Sequence, residues 1–223
     1  MKNFVTFLFF IFLFNCGTDS SNGNWEVDIT DMHPSENQGD WLIVHELSDN
    51  DGLNPFTSTG AGGTYIYAAN LFETLIVQDN HTLEYKPWIA KNLPEISDDN
   101  LTYIFELRED VYFSDGSQLT GKDLIFTLKA IKNPFTDAAP SRNYYKDVIN
   151  AELVDGNPFK VRFNCSEIYF KHDVFIGANI YVMPQHIYDP EFIMDNYSFN
   201  DLDGLLTKLS EEGQELEYFE NDP

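Results

Sequence analysis

The chain has 223 residues, 43% hydrophobic and 15% aromatic, which excludes a disordered polypeptide and leaves ample material for a core. Its 13 basic and 37 acidic residues give a formal charge of −24. Such a surface repels nucleic acid phosphates and anionic lipid headgroups, so neither is expected as a direct partner; a solubilising acidic surface accounts for the charge as well as a cationic ligand does.

Residues 1–15 read as a processing segment and do not belong to the fold. Lys2 is the only basic residue before an apolar stretch at 4–14 that Thr6 alone interrupts. That stretch is shorter than the roughly 20 residues a membrane-spanning helix needs. Leu13-Phe14-Asn15-Cys16-Gly17 leads into a polar run at 18–24. The arrangement resembles a bacterial lipoprotein signal with Cys16 as the lipidated residue, although Asn15 departs from the small residue usual at that place. An ordinary signal peptide and an uncleaved anchor are the alternatives, and all three leave the remainder outside the cytoplasmic membrane. Residues 16–39, rich in Ser, Asn, Asp and Gly, are expected to form a flexible tether. With Cys16 lipidated, Cys165 has no disulfide partner and reads as a buried structural thiol in an alternating strand.

Residues 41–47 are predicted as the first strand, followed by an Asp/Asn/Gly turn and Asn54-Pro55-Phe56. A small-residue loop at 58–63 leads into a buried helix at 65–77, suggested by Ile66, Ala69, Leu71, Phe72, Leu75 and Ile76. Pro87-Trp88-Ile89-Ala90 is expected to begin a short helical turn, with 93–96 leading onward.

The richest stretch is 103–129. Tyr103, Phe105 and Leu107 alternate on one face of a strand. Val111-Tyr112-Phe113 forms a short segment ending in Asp115-Gly116, a turn pair in which Gly accepts positive φ. Thr120 is a good N-cap, and Asp123 three positions on completes an approximate capping box. Leu124, Ile125, Leu128 and Ile131 then recur at helical spacing until Pro134 stops the helix. Beyond it, 148–154 and 159–163 flank Asp155-Gly156-Asn157-Pro158, a strong hairpin signal. Residues 180–183 are predicted as a strand closed by Pro184-Gln185-His186-Ile187-Tyr188, with His186 starting a helix and packing in the core. From Asp189 the chain turns acidic, and 211–222 is mostly charged.

The order and spacing of 103–129 resemble a signature of the family 5 extracellular solute-binding proteins, the peptide and nickel receptors of ABC importers. Phe105-Glu106-Leu107-Arg108, Val111-Tyr112-Phe113-Ser114-Asp115-Gly116 and Thr120-Gly121-Lys122-Asp123 carry the likeness. It extends over about 41–190 through Asn54-Pro55, Leu71-Phe72-Glu73-Thr74-Leu75, loosely through Tyr85-Lys86-Pro87-Trp88-Ile89-Ala90, and through Pro184-Gln185-His186. Ser114, Gly121, Lys122 and Gln185 depart from the usual residues at positions expected to be surface or turn.

The resemblance implies an α/β fold with an α+β mixed sheet, the type II lobe of a periplasmic binding protein, here incomplete. On this reading 40–190 is the N-terminal part of the family domain and 191–223 an acidic segment of a truncated lobe. It further implies a lipoprotein that captures oligopeptides and passes them to a permease and its ATPase subunits, without chemistry on the ligand and without a cofactor. Asn54, Thr57, Ser58 and Thr59, following the first strand, are the candidate ligand contacts, although each is also an ordinary turn residue. A sensory or surface-binding module reusing the same lobe is the alternative, and a secreted hydrolase a third.

Other motifs fail on spacing. Gly60-Ala61-Gly62-Gly63 has neither GxGxxG spacing nor a following Lys-Ser/Thr, so it is no phosphate loop. His45-Glu46 lacks the second His of a zinc protease, and the run at 49–52 lacks the end ligands of a calcium loop. The five histidines show no ligand spacing, and no GxSxG elbow is present.

Overall fold

Alternation of apolar residues builds the central sheet of this computed structural model, which describes His45, residues 52–58, residue 60 and residues 70–211. The chain divides into two units, Met1–His45 and Glu46–Pro223, and apart from His45 every described residue lies in the second. Strand β1 is Ile76–Gln78, β2 Tyr85–Pro87, β3 Glu95–Ile96 and β4 Thr102–Glu106. Helix α1, Gly121–Lys132, precedes a short α2, Ala139–Tyr144, and strands β5, Val148–Leu153, and β6, Lys160–Cys165. Helices α3, His172–Ala178, α4, Gln185–Tyr188, and α5, Phe199–Glu211, complete the order.

Strands β3-β4-β6-β5 form one antiparallel sheet, and β1 pairs with β2 in a second. Tyr103, Phe105 and Leu107 do share the buried face, and Phe105 meets Phe163 of β6 edge to face at 5.9 Å. An aromatic pair of this kind contributes about 0.5–1.5 kcal/mol beyond its burial. The Asp155-Gly156 hairpin joins β5 to β6 with both residues at positive φ, 51° and 74°. Cys165 is buried at the end of β6, and burial pushes its thiol up to about 11. The antiparallel sheets and packed helices make the α+β arrangement expected from the sequence.

The capping box at α1 is complete: Asp123 Oδ2 accepts the Thr120 backbone N–H at 2.9 Å, and Thr120 Oγ1 accepts that of Lys122 at 3.3 Å. Leu124, Leu128 and Ile131 are fully buried along one stripe, with Ile125 partly so. The helix ends at Lys132, two residues before Pro134, because proline cannot donate into it.

Several expectations are overturned. Of the predicted helix at 65–77, Asn70 and Leu71 are helical, but the chain then extends and Ile76–Gln78 is a strand. Pairing with Tyr85–Pro87 outweighs the apolar periodicity there. No helical turn forms at Pro87-Trp88-Ile89-Ala90 either: Pro87 ends β2, Trp88 and Ile89 form a bend, the Trp88 and Ala90 N–H groups both donate to the Leu75 carbonyl, at 3.0 and 2.9 Å, and Ala90 bridges Leu107. The two sheets are thereby stitched together. Residues 180–183 join no ladder; Val182 donates to the Glu73 carbonyl at 3.0 Å and Met183 to Thr127 Oγ1 at 2.9 Å. Gly121 and Gln185, expected at surface or turn positions, are buried first residues of α1 and α4. Within the acidic segment, to which the sequence analysis assigns no element, α5 buries Phe199 and Leu202. The strand predicted at 41–47 and most of the loop at 58–63 lie outside the described residues.

Candidate functional site

Three segments that the sequence marked separately converge around two adjoining cavities. The first segment, 70–74, passes from the end of a helix into β1. The second is the Asp-Gly turn at 113–117, where Gly116 sits at φ 87° and Phe113 and Ser117 close a short hydrogen-bonded loop at 2.8 Å. The third, 181–188, runs from the extended chain into α4.

The larger cavity, about 560 Å³, lies among all three and is chiefly apolar: Leu71, Phe72, Tyr112, Phe113, Ile187 and Tyr188 line it. Its size suits a small ligand or one large side chain. Asp115 and Ser114 stand on its wall. His186 reaches Asp115 Oδ2 through Nε2 at 2.5 Å, and the same nitrogen lies 3.2 Å from Ser117 Oγ. The Asp115 carboxylate accepts further bonds from the Ser117 hydroxyl and backbone, at 2.6 and 2.8 Å. Together these bonds, Ser117 first and then His186, hold Asp115 well below the usual carboxylate range. His186 is therefore half exposed and clasps the turn; it is not the core residue predicted, because the short α4 points its ring at a carboxylate.

The smaller cavity, about 440 Å³, opens between β1, β2 and the end of α3. Its lining mixes aromatic and carboxamide groups, among them Trp88, Tyr85, Tyr181, Gln78 and Asn179. The Trp88 indole N–H donates to the Glu73 carboxylate, and the Trp88 carbonyl accepts from Arg108 Nη1 at 3.2 Å. Arg108 is itself gripped by Asp110 through two bonds of 2.9 Å. A buttress from the Phe-x-Leu-Arg stretch thus fixes the Trp88 backbone.

Asn54 belongs to a turn: its Oδ1 accepts the Phe56 N–H at 3.0 Å and its carbonyl accepts that of Ser58 at 3.1 Å. Thr57 and Ser58 follow in the same turn, and neighbouring Leu53 reaches the larger cavity. Thr59 and Cys16 lie outside the described residues. Sequence reasoning passed over Trp88, Gln78 and Glu73. The signal the sequence carries is a tryptophan directly after a proline, and the helical turn expected at 87–90 hides it. Among the described residues no three side chains of His, Cys, Asp or Glu gather to hold a metal, and no helix is long and apolar enough to cross a membrane.

Comparison with known proteins identifies the scaffold. Protein XP55 of Streptomyces lividans is 34% identical over 96 residues, 43% of this chain and 17% of that protein. The periplasmic oligopeptide-binding protein OppA of Haemophilus influenzae is 28% identical over 118 residues, 52% of this chain and 21% of that one. A crystal structure of that OppA shares the fold, with a TM-score of 0.55 at 19% identity over 64% of this chain and 30% of that chain. The ABC transporter substrate-binding protein CtaP of Listeria monocytogenes aligns at 25% identity with a TM-score of 0.54, covering 67% of this chain and 29% of that one. The matches thus span about a fifth of the length of the curated relatives. The model of the bacterial extracellular solute-binding proteins, family 5 Middle, matches residues 84–212, more than half of the chain. The chain belongs to the bacterial extracellular solute-binding proteins of family 5.

Proposed function

We propose that this chain is the ligand-capturing part of an extracellular or periplasmic receptor serving an ABC importer, and that its ligand is an oligopeptide. The family match over residues 84–212 carries this reading. Two relatives support it by what they are: one is named as oligopeptide-binding and its structure is a complex with the peptide RPPGFSPFR, and another is an ABC transporter substrate-binding protein. The apolar cavity of about 560 Å³ suits a large side chain of such a peptide. The ligand is bound and released unchanged, and a membrane permease with its ATPase subunits receives it. Asn54, Thr57, Ser58 and Thr59 contact the ligand, residues 40–190 form the N-terminal part of the family domain, and Cys16 carries the lipid that holds the chain to the membrane.

Thermal unfolding in the presence of a panel of tri- to nonapeptides tests the ligand. A peptide present at 100 times its Kd stabilises the folded state by about 2.7 kcal/mol and raises Tm visibly. If every peptide leaves Tm unchanged, the oligopeptide reading is wrong. Labelling of cells with radioactive palmitate tests the anchor, since the Cys16→Ser chain should take up no label.

A further inference from the structure

Asn-x-Ser/Thr triplets occur at Asn80, Asn100, Asn164 and Asn196. On the surface of an exported protein such a triplet is an acceptor for an N-linked glycan. The family is one of bacterial extracellular proteins, so export brings the chain to the compartment where that transfer takes place.

Geometry separates the four. Asn164 lies within β6, half-buried, and its Oδ1 accepts the Thr102 hydroxyl at 3.3 Å. Asn196 is exposed, but its Nδ2 donates to the Ile193 carbonyl at 3.2 Å, so the nitrogen that would carry a sugar is engaged. Asn80 and Asn100 are both exposed, and neither carboxamide has a hydrogen-bond partner among the described residues. What divides these two is the residue two positions earlier: Asp98 before Asn100, and Gln78 before Asn80. A carboxylate there offers a transferase groove a charge-assisted hydrogen bond in addition to the Thr hydroxyl. The corresponding residues of the other two are Arg162 and Met194.

The turn that joins β3 to β4 presents this set. Asp99 Oδ1 accepts the Ser97 hydroxyl at 2.5 Å and the Leu101 N–H at 3.1 Å, while Asp98 is exposed and makes no described bond. Asn100 sits at φ 57°, a left-handed conformation that asparagine tolerates. Its N–H donates to the Ser97 carbonyl at 2.9 Å, and its own carbonyl accepts the Tyr103 hydroxyl at 3.1 Å. The backbone is thus satisfied without the side chain, and a substituent on Nδ2 breaks none of these bonds. The Thr102 hydroxyl makes one long bond, the 3.3 Å contact to Asn164, which restrains it weakly.

We propose that Asn100 is an N-glycosylation site, recognised by a bacterial oligosaccharyltransferase through Asp98 on one side and the Thr102 hydroxyl on the other. The donor is an oligosaccharide linked to a polyprenyl pyrophosphate. Asn100 Nδ2 bonds to the anomeric carbon as the bond from that carbon to the pyrophosphate oxygen breaks. The pyrophosphate leaves with the electron pair, and the amide proton passes to a base of the transferase. The site rests on export of the chain and is independent of the ligand the receptor takes.

The test is export of the whole chain, behind an established leader, in a bacterial host carrying an oligosaccharyltransferase and its lipid-linked oligosaccharide, with a proven acceptor protein as control. Trypsin places the four triplets on separate peptides, with Asn100 on 92–108, so mass spectrometry of protein recovered from the periplasm assigns each one. The expected result is one oligosaccharide mass on 92–108, absent from Asn100→Gln and Thr102→Ala and retained in Thr102→Ser. Asp98→Asn, a change at an exposed side chain, should lower occupancy at least tenfold without a folding defect to account for it. A bare 92–108 peptide beside a glycosylated control, glycan at Asn80 or Asn196 in its place, or occupancy indifferent to Asp98→Asn overturns the assignment. A bare chain whose Tm still rises with peptides would remove the glycan site alone and leave the receptor reading intact.

Discussion

Gln185 donates its backbone N–H to Asp123 Oδ1 at 3.1 Å across 62 positions of the chain, while Oδ2 of the same carboxylate accepts the Thr120 N–H at 2.9 Å. One buried carboxylate therefore both caps α1 and anchors the start of α4. Thr127 strengthens the joint by donating to the Asp123 carbonyl at 2.7 Å and accepting from Met183 at 2.9 Å. The Thr-x-x-Asp and Pro-x-His motifs, joined through Asp123 and Gln185, are thus two halves of one connection that carries the wall of the apolar cavity. Asp123→Ala leaves two backbone donors without partners, each costing about 1–3 kcal/mol where it is buried. Asp123→Asn keeps an acceptor and should lose less. Urea unfolding should rank the wild type above Asn and Asn above Ala; equal midpoints for all three would show that the joint contributes nothing.

Stability should fall at both ends of the pH range, for different reasons. Asp115 and Asp79 are held far below the ordinary carboxylate value, Asp115 chiefly by Ser117 and His186, and Asp79 chiefly by the Thr82 N–H and by Lys86. A depressed carboxylate contributes stability that is complete above its unfolded value of about 3.9 and disappears as pH falls toward its folded value. Tm should accordingly be level down to about pH 5 and then drop, with a shallower drop in Asp115→Asn. At the alkaline end Cys165, pushed up to about 11 by burial, and Tyr145, pushed up strongly by burial, must stay neutral in the folded state. A raised group stabilises fully below its unfolded value, about 8.5 for a thiol, and that contribution is lost as pH rises. Cys165→Ala should start from a lower Tm and lose less of it between pH 8.5 and 11 than the wild type.

The fold was most legible where local chemistry and tertiary pairing agree. Strand, Asp-Gly turn and capped helix between 103 and 132 each follow from a few neighbouring residues, and packing reinforces them. The errors fall where long-range pairing decides. Leu75 and Ile76 carry helical spacing, yet the Leu75 carbonyl accepts from both Trp88 and Ala90, and no local rule foresees that partner. His186 looked like a core residue since Asp115 lies 71 positions earlier in the chain. The candidate cavities were hidden for the same reason, because their walls come from segments that are neighbours only after folding.

Gly121 shows how closely α1 approaches the hairpin. A Cβ at this position would stand 2.5 Å from Val161 Cγ2 and 2.7 Å from Leu153 Cδ2, with the Pro158 carbonyl at 3.1 Å. That carbonyl also accepts the Gly121 N–H at 2.7 Å, so the helix cannot retreat without losing the bond. Ala is ordinarily favoured over Gly in a helix by up to about 1 kcal/mol, and here the crowding should reverse the sign. Overpacking of this kind costs about 1–3 kcal/mol. Gly121→Ala should lower Tm by several degrees, and the double variant Gly121→Ala with Leu153→Ala should recover part of the loss by making room. A rise in Tm for Gly121→Ala alone would show that the side chains shift freely.

Lys132 joins α5 to the rest of the molecule. Its side chain is 1% exposed, and its ammonium donates to the Val148 carbonyl at 2.8 Å and pairs with Asp203 Oδ1 at 3.0 Å. Desolvating an ammonium is expensive, and it is tolerated here because a carboxylate and a carbonyl both face it. Asp203 is 40% exposed on its side, so the pair is asymmetric: removing the carboxylate leaves a buried cation with one neutral partner. Breaking a buried pair in this way costs up to about 3–5 kcal/mol, and partial exposure of Asp203 puts the expected loss at the lower end. Asp203→Ala should therefore destabilise more than Lys132→Met, which removes the charge and keeps the volume. Hydrogen exchange should show the loss first in α5 and at the start of β5, where Lys132 bonds Val148. Uniform loss of protection throughout the sheet, or a larger effect from Lys132→Met, would mean that packing of Phe199 and Leu202 holds the helix and the ion pair does not.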